Sequence, residues 1–148
     1  MAESEKKRIV LKGKTAVFID WANVHGWEES LKIKIDIEKF YKYLKSYQEI
    51  TEINLYFGTD NHPKSQEFLK RAKEVGYKVI TKSVKYILVA KVKGENVFKR
   101  KCDFDMESCI DAHRKLAEGF ESFVFFTGDG DYEPLYKLLI ERQKQVVV

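Results

Sequence analysis

Aspartates cluster in three short motifs of this 148-residue sequence. The first motif is Phe18-Ile19-Asp20-Trp21-Ala22-Asn23, in which Asp20 directly follows an apolar run. The second is Lys101-Cys102-Asp103-Phe104-Asp105, and the third is Phe126-Thr127-Gly128-Asp129-Gly130-Asp131-Tyr132. Together the motifs contain five of the eight aspartates in the chain. The flanking glycines of the third motif allow a tight turn that brings its two carboxylates together.

Carboxylates crowded in this way indicate a site for a divalent cation. Two carboxylates 4 Å apart repel by about 4 kcal/mol at an effective dielectric constant near 20, and a cation offsets that cost. All-oxygen donors suit Mg²⁺ or Mn²⁺ rather than Zn²⁺. Such cations activate water and stabilise a phosphoryl transition state. Asn23 is placed to hydrogen-bond a carboxylate ligand, a water or a phosphate. Taken singly, each aspartate is equally well explained as a helix cap or turn former, and Asp131 and Asp103 are candidates for caps.

Alternating strands and helices must position these motifs. Predicted strands cover 14–20, 50–57, 77–81 and 122–127, and predicted helices begin at Asp36, span 61–76 and 105–118, and begin again at Asp131. We expect the helix at 105–118 to turn inward its apolar side chains, namely Met106, Cys109, Ile110 and Leu116. This order predicts one three-layer α/β domain with a mostly parallel sheet. In such sheets a site lies at the carboxyl ends of the strands.

The composition argues against a disordered, a membrane-spanning or a disulfide-rich protein. An apolar fraction of 44% excludes disorder as the main description. No apolar run approaches the roughly 20 residues of a membrane span, and the charged start does not resemble a signal peptide, so a cytoplasmic location is expected. Cys102 and Cys109 are too few for a disulfide framework or a cysteine-based zinc site. We divide the chain into a charged N-terminal segment, 1–13, and a domain at 14–148.

The net charge of +4 hides two opposed blocks. From Lys82 to Lys101 there are seven basic residues against Glu95, whereas nine acids and two basic residues lie between Cys102 and Glu133. The basic block includes a predicted β-hairpin around Lys93-Gly94-Glu95-Asn96. It is suited either to following a phosphate backbone, with Tyr86 or Phe98 stacking on a base, or to forming a solvated hairpin face. His25 is either a proton donor to a leaving group or a polar loop residue.

The three motifs in this order resemble the NYN domain of the PIN-like nuclease superfamily. The resemblance covers 14–148 and rests on Asp20-x-x-Asn23, on Asp105 with Asp111 six residues later, and on 127–135, which is close to the Ser-Gly-Asp-Ser-Asp-Phe pattern of the family. It implies a Rossmann-like fold and a metal-dependent ribonuclease. Carried over to this chain, it makes Asp20, Asp105 and Asp129 metal-binding catalytic acids, with Asn23 in the catalytic set and Asp131 as a further metal ligand.

The chain departs from this pattern at Trp21, where a small residue is commoner. The indole is expected either to stack on a base or to narrow the cleft. With Lys99, Arg100 and Lys101 it forms the predicted RNA-binding set. Asp111 either supports the site or faces solvent. We expect 146–148 to begin a final strand that is incomplete at Val148.

The leading hypothesis is therefore an endoribonuclease that uses Mg²⁺ or Mn²⁺ and prefers single-stranded RNA. An RNA-binding or regulatory partner module that keeps the acidic pocket but does not cleave is the alternative. A phosphatase of the haloacid-dehalogenase type also has an aspartate after its first strand, but it needs a second one where Ala22 stands. RNA is the expected partner, and a homodimer is compatible with the size of the domain.

Overall fold

The computed structural model describes residues 8–128 and 130–148, apart from the side chains of Glu29, Arg100 and Lys101. The elements in chain order are β1 (Thr15–Asp20), α1 (Trp21–Leu31), α2 (Ile37–Lys45), β2 (Ile50–Thr59), α3 (Pro63–Val75), β3 (Lys78–Ser83), β4 (Lys85–Val92), β5 (Glu95–Lys101), α4 (Asp105–Ala117), β6 (Ser122–Phe126), a 3₁₀ turn (Gly130–Tyr132), α5 (Glu133–Glu141) and β7 (Gln145–Val147). No helix among the described residues is both long and apolar enough to cross a membrane.

Five strands form a parallel sheet in the order β3-β2-β1-β6-β7. The central strand β1 is fully buried from Thr15 to Ile19 because it pairs with β2 on one side and β6 on the other. The chain adds β2 and β3 on one side of β1 and then β6 and β7 on the other. The strand order therefore reverses beside β1, and the predicted α/β fold with a mostly parallel sheet is confirmed.

Helices cover both faces of this sheet, because successive strand residues point to opposite faces. On one face Val17 and Ile19 pack in a core with apolar residues of the first three helices, namely Trp21, Val24, Ile37, Leu44 and Ala72. On the other face Ala16 and Phe18 pack in a second core with residues of β6, α4 and α5, namely Phe123, Phe125, Ala112, Leu135 and Leu139. The domain consequently has three layers.

Local chemistry explains several helix boundaries. Asp36 caps α2 as predicted, since its Oδ1 accepts hydrogen bonds from the backbone N–H groups of Glu38 at 2.9 Å and Lys39 at 3.3 Å. Pro63 begins α3, where a missing N–H costs nothing, and Gly76 ends it with φ of 128°. The prediction that Asp131 caps the last helix is wrong, because Tyr132 is the N-cap of α5 and no side chain caps it.

The helix α1 was not expected, and α4 faces the sheet differently from the expectation. The sequence pattern predicts no element over residues 21–31, yet they form three turns of helix directly after β1. In α4, Met106 and Ile110 are 68% and 45% exposed, whereas Ser108, Ala112 and Lys115 are buried. The prediction that Met106 and Ile110 point inward is therefore wrong.

The segment before β1 contacts the edge of the sheet. Leu11 is buried, and the backbone N–H of Lys12 donates to Gln145 Oε1 at 2.7 Å. Gln145 Nε2 in turn donates to the carbonyl of Val10 at 2.9 Å. The strand expected near the end of the chain is present as β7, and these contacts hold it against the residues that precede β1.

The strands β4 and β5 form a separate antiparallel hairpin. Every residue of β4 is exposed. Lys93 and Gly94 form its turn with φ of 52° and 80°. The predicted basic hairpin is present, and it lies outside the five-stranded sheet.

Candidate functional site

The reversal of strand order places the ends of β1 and β6 side by side. Ile19 is in register with Phe126, so Asp20 and Thr127 leave neighbouring strands at the same edge of the sheet. Asp20 occupies the N-cap position of α1, but its side chain does not cap the helix. Instead Asp20 Oδ2 accepts a hydrogen bond from Asn23 Nδ2 at 3.2 Å. The predicted pair of Asp20 and Asn23 is thus held together at the crevice where α/β sheets bind ligands.

Asp105 reaches the same place from the other face of the sheet. It is the first residue of α4, and Phe104 rather than Asp103 is the N-cap. The hydroxyl of Tyr132, a residue only 3% exposed, donates to Ser108 Oγ at 3.2 Å. Burial raises the pKa of Tyr132 above its usual value, and the nearby carboxylates of Asp105 and Asp20 raise it further. Asp20 and Asp105 therefore both lie close enough to this buried hydroxyl to act on it electrostatically.

A second buried tyrosine extends this network below the site. The hydroxyl of Tyr56 donates to Asp111 Oδ2 at 2.8 Å, and it also interacts with Ser108. Burial, followed by the hydrogen bond to Asp111, raises the pKa of Tyr56, so its hydroxyl stays protonated. Asp111 also lies 3.7 Å from Arg114. Asp111 therefore accepts a hydrogen bond from a buried residue instead of facing only solvent, and the two buried tyrosines were not predicted.

A cleft of about 990 Å³ begins at Asp20 and extends over the ends of β1 and β2. Its walls combine aromatic residues with charges of both signs, namely Phe57, Phe68, Asp36, Asp60, Glu67, Lys34, Lys64 and Arg71. His25 also lines the cleft, and its Nδ1 lies 3.2 Å from Glu28 Oε2. A cleft of this size, with basic and acidic side chains in its walls, can hold a charged, elongated ligand.

The two tryptophans of α1 lie in different environments. Trp21 borders the cleft but is only 7% exposed, and its ring stacks on Phe68 with centroids 5.0 Å apart. Trp21 therefore belongs to the core, and the expectation that its face stacks on a base is not supported. Trp27 is 36% exposed, and its indole lies 3.8 Å from the point where a Cβ on Gly128 would stand. Trp27 is the indole available beside the third acidic motif.

The remaining predicted residues fall into two groups. Asp131 is exposed in the 3₁₀ turn, and Lys99 is exposed on β5. Asp129 lies outside the described residues, as do the side chains of Arg100 and Lys101. Among the residues that the structure describes, no group of three or more His, Cys, Asp or Glu side chains is arranged to hold a metal ion. Of the predicted acids and their partner, the structure describes Asp20, Asn23, Asp105 and Asp131, and their role in a site stays a prediction.

Comparisons with known proteins identify the family and the fold of the chain. The family model of the NYN domain matches residues 14–148. The low amplitude and bright protein LabA of Synechococcus elongatus is 30% identical over 135 residues, which cover 90% of this chain and 71% of that protein. A crystal structure of a protein of unknown function from Vibrio parahaemolyticus superposes with a TM-score of 0.69 at 24% identity, covering 95% of this chain and 82% of the other. That structure shares the fold. By the match over nearly its whole length, this chain belongs to the NYN domain family of nuclease-like, RNA-binding domains.

Proposed function

We propose that this protein is a metal-dependent endoribonuclease that hydrolyses phosphodiester bonds in single-stranded RNA. The observation that carries the proposal is the position of Asp20 at the end of β1 and of Asp105 at the start of α4, where both carboxylates act electrostatically on the buried Tyr132. These carboxylates come from two layers of the domain and meet at the edge of the sheet where α/β folds bind ligands. Paired carboxylates at such an edge suit the hydrolysis of a phosphate ester better than they suit a purely structural role.

The donor set fits Mg²⁺ or Mn²⁺. Asp20 and Asp105 offer carboxylate oxygens, and Asn23 beside Asp20 offers an amide oxygen. Oxygen donors are those that hard divalent cations prefer. Asp129 and Asp131 would add further carboxylates from the third motif. When bound, such a cation lowers the pKa of a water molecule and neutralises charge on the phosphoryl oxygens.

The residues of the chain itself orient the site. Asn23 holds one oxygen of Asp20, so this carboxylate keeps a fixed direction before RNA binds. The cleft beyond Asp20 would receive the strand, with Lys34 and Lys64 available to phosphates. Lys99, Arg100 and Lys101 of the hairpin would contribute further positive charge outside the cleft.

Replacement of single acids tests the proposal. We expect Asp20→Asn, Asp105→Asn and Asp129→Asn each to lower the cleavage of an unstructured labelled RNA by at least about a hundredfold, because each removes a ligand of the cation. Glu141→Gln, an exposed acid at the end of α5, serves as the matched control and should cleave normally. Cleavage should require added Mg²⁺ or Mn²⁺ and stop in excess chelator. Cleavage that survives in all three aspartate variants would show that the activity comes from a contaminant.

A non-catalytic RNA-binding module remains the second candidate, and the exposed basic hairpin favours it because phosphate binding there needs no acid cluster. In this case the purified protein would bind the same RNA with a steep dependence on salt and form no product with either cation. Binding that is unchanged in Asp20→Asn but weaker in Lys99→Ala would support it.

A further inference from the structure

The hairpin of β4 and β5 carries two uncovered faces. Its strands hydrogen-bond with each other and with no strand of the five-stranded sheet. An isolated two-stranded ribbon is only marginally stable in water. A ribbon that keeps both faces exposed therefore has surface available to a partner.

This surface is unusually apolar for an exposed element. Seven large apolar side chains are between 41% and 60% exposed, namely Tyr86, Ile87, Leu88, Val89, Val92, Val97 and Phe98. Five of them are aliphatic, and aliphatic side chains neither stack on bases nor hydrogen-bond to them. Several exposed apolar side chains gathered on one short element mark a site of interaction with another molecule. The aliphatic part of the hairpin is thus better matched to protein than to RNA.

The register separates the hairpin into two chemically different faces. Residues directly opposite each other share a face, and the pairs are Ile87 with Lys99, Ala90 with Val97, and Val92 with Glu95. With Lys85 these residues form what we call the aliphatic face. The opposite face, which we call the aromatic face, contains Tyr86, Leu88, Lys91 and Phe98. Val89 is the extra residue at a bulge between Leu88 and Ala90.

Charge on the aliphatic face is divided between its two ends. Lys85 and Lys99 lie near the base of the hairpin, Glu95 lies at the tip, and the apolar side chains lie between them. Neither Lys85 nor Glu95 has an ion-pair partner in the described part of the chain. We propose that two copies of the chain associate through this face, with the hairpins antiparallel, so that Glu95 of each copy meets Lys85 of the other.

The geometry of a two-fold pair fits this arrangement. Each copy presents the same patch, which is the requirement for an isologous interface. When the two hairpins pack antiparallel, the apolar centre of one aliphatic face lies on the apolar centre of the other. The tip of each hairpin then lies beside the base of the hairpin in the other copy. The half-exposed side chains offer on the order of 500 Å² per copy, so the pair buries about 1,000 Å², at the lower limit for a specific interface. The dimer is therefore weak, and its aromatic faces stay open. This association does not depend on the nuclease proposal.

The mass of the full chain in solution tests the inference. Sedimentation equilibrium over a wide range of concentrations should show a reversible dimer. Val97→Lys, which puts a charge at the centre of the aliphatic face, should weaken the dimer at least about tenfold. Leu88→Lys places the same charge on the aromatic face of the same strand pair and should leave the dimerisation constant unchanged. Circular dichroism and thermal unfolding confirm that both variants remain folded.

An exchange of charges tests the antiparallel direction. Glu95→Lys should weaken the dimer about fivefold, because it replaces two attractive contacts with repulsive ones. The double variant Lys85→Glu/Glu95→Lys should restore the dimer to the level of the original chain. A chain that is monomeric at every concentration would overturn the proposal. So would equal effects of Val97→Lys and Leu88→Lys, or a double variant as weak as Glu95→Lys. Loss of RNA binding in Val97→Lys without any change in mass would assign this face to RNA instead.

Discussion

The hydroxyl of Tyr132 is a single polar group that lies both in the core of the domain and beside an acid of the proposed site. It is buried, it donates to Ser108 Oγ at 3.2 Å, and the carboxylate of Asp105 lies near enough to raise its pKa. The ring fills the core beside Phe125, so removal of the hydroxyl alone leaves the packing intact. The hydroxyl therefore acts on the direction of Asp105 rather than on the fold.

We expect Tyr132→Phe to cost about 1 kcal/mol of stability and to weaken Mn²⁺ binding about tenfold, as loss of a residue that orients a metal ligand does. Tyr56→Phe is the matched control, because its hydroxyl contacts Asp111 instead of Asp105. It should cost similar stability with little change in metal affinity. Urea unfolding and titration calorimetry with Mn²⁺ measure the two quantities. Equal loss of affinity in both variants would contradict a specific role for Tyr132.

The two tryptophans of α1 offer a second test at this scale. Trp21→Ala should destabilise the domain by about 3–5 kcal/mol, because it empties a core position that stacks on Phe68. Trp27→Ala should cost less than about 1 kcal/mol yet weaken RNA binding between about fivefold and a hundredfold, as the loss of one stacking contact does. Thermal unfolding and fluorescence anisotropy with labelled RNA separate the two effects. Normal RNA binding in Trp27→Ala would exclude the indole from the interface.

At the level of elements, α4 approaches the sheet through its small residues. Ala112 is fully buried and Ser108 is 1% exposed, whereas the larger Met106 and Ile110 face outward. Small side chains bring the helix close enough for Ser108 to lie between the two tyrosine hydroxyls. The hydroxyl network, and not the largest apolar side chains, therefore determines which face of α4 packs against the sheet.

We accordingly expect Ile110→Lys to change the free energy of unfolding by no more than about 0.5 kcal/mol. Ala112→Leu, although apolar, should destabilise by about 1–3 kcal/mol, because a larger side chain has no room at the buried position. Chemical denaturation of the two variants provides the measurement. A larger loss for Ile110→Lys than for Ala112→Leu would mean that the helix presents the opposite face.

The elements also show what sequence patterns can and cannot predict. β1 and β6 are apolar runs bounded by turn residues, so their positions and the acids that follow them were predictable. α1 was missed because, among the side chains that the structure describes in this helix, Trp21 and Val24 alone are buried, and because Gly26 interrupts its middle. The network of Tyr56, Ser108 and Tyr132 was also missed, since long-range hydrogen bonds between buried polar groups leave no periodic signal.

At the level of the whole molecule, Lys115 connects α4 to β2. It is 9% exposed, and its Nζ lies 2.8 Å from Glu52 Oε2 and 3.0 Å from Glu118 Oε2. Burial alone would raise the pKa of Glu52, but hydrogen bonds from Lys115 and Lys78 outweigh burial and hold the pKa below 4.5. Burial likewise opposes the charge on Lys115, and its acidic partners hold the pKa of Lys115 above 10.5.

These shifts predict how stability depends on pH. The lowered pKa of Glu52 contributes stability that is fully present above about pH 4.5, its unfolded value, and is lost as the pH falls through the folded value. The raised pKa of Lys115 contributes stability below about pH 10.5 that is lost at higher pH. Glu52→Gln should therefore cost about 1–2 kcal/mol at pH 7 and progressively less below pH 4. Urea unfolding of both proteins at several pH values measures the difference, and a cost independent of pH would contradict this assignment.

The fully buried strand β1 has a consequence for the order in which parts of the protein open. Its residues from Ala16 to Ile19 are inaccessible and lie between two paired strands. Their amide hydrogens should exchange with solvent only when the whole domain unfolds, whereas those of β4 should exchange through local opening of the hairpin. Asp20 is attached directly to the segment that opens last. The acid at the end of β1 can thus keep its position while the basic hairpin opens and closes many times.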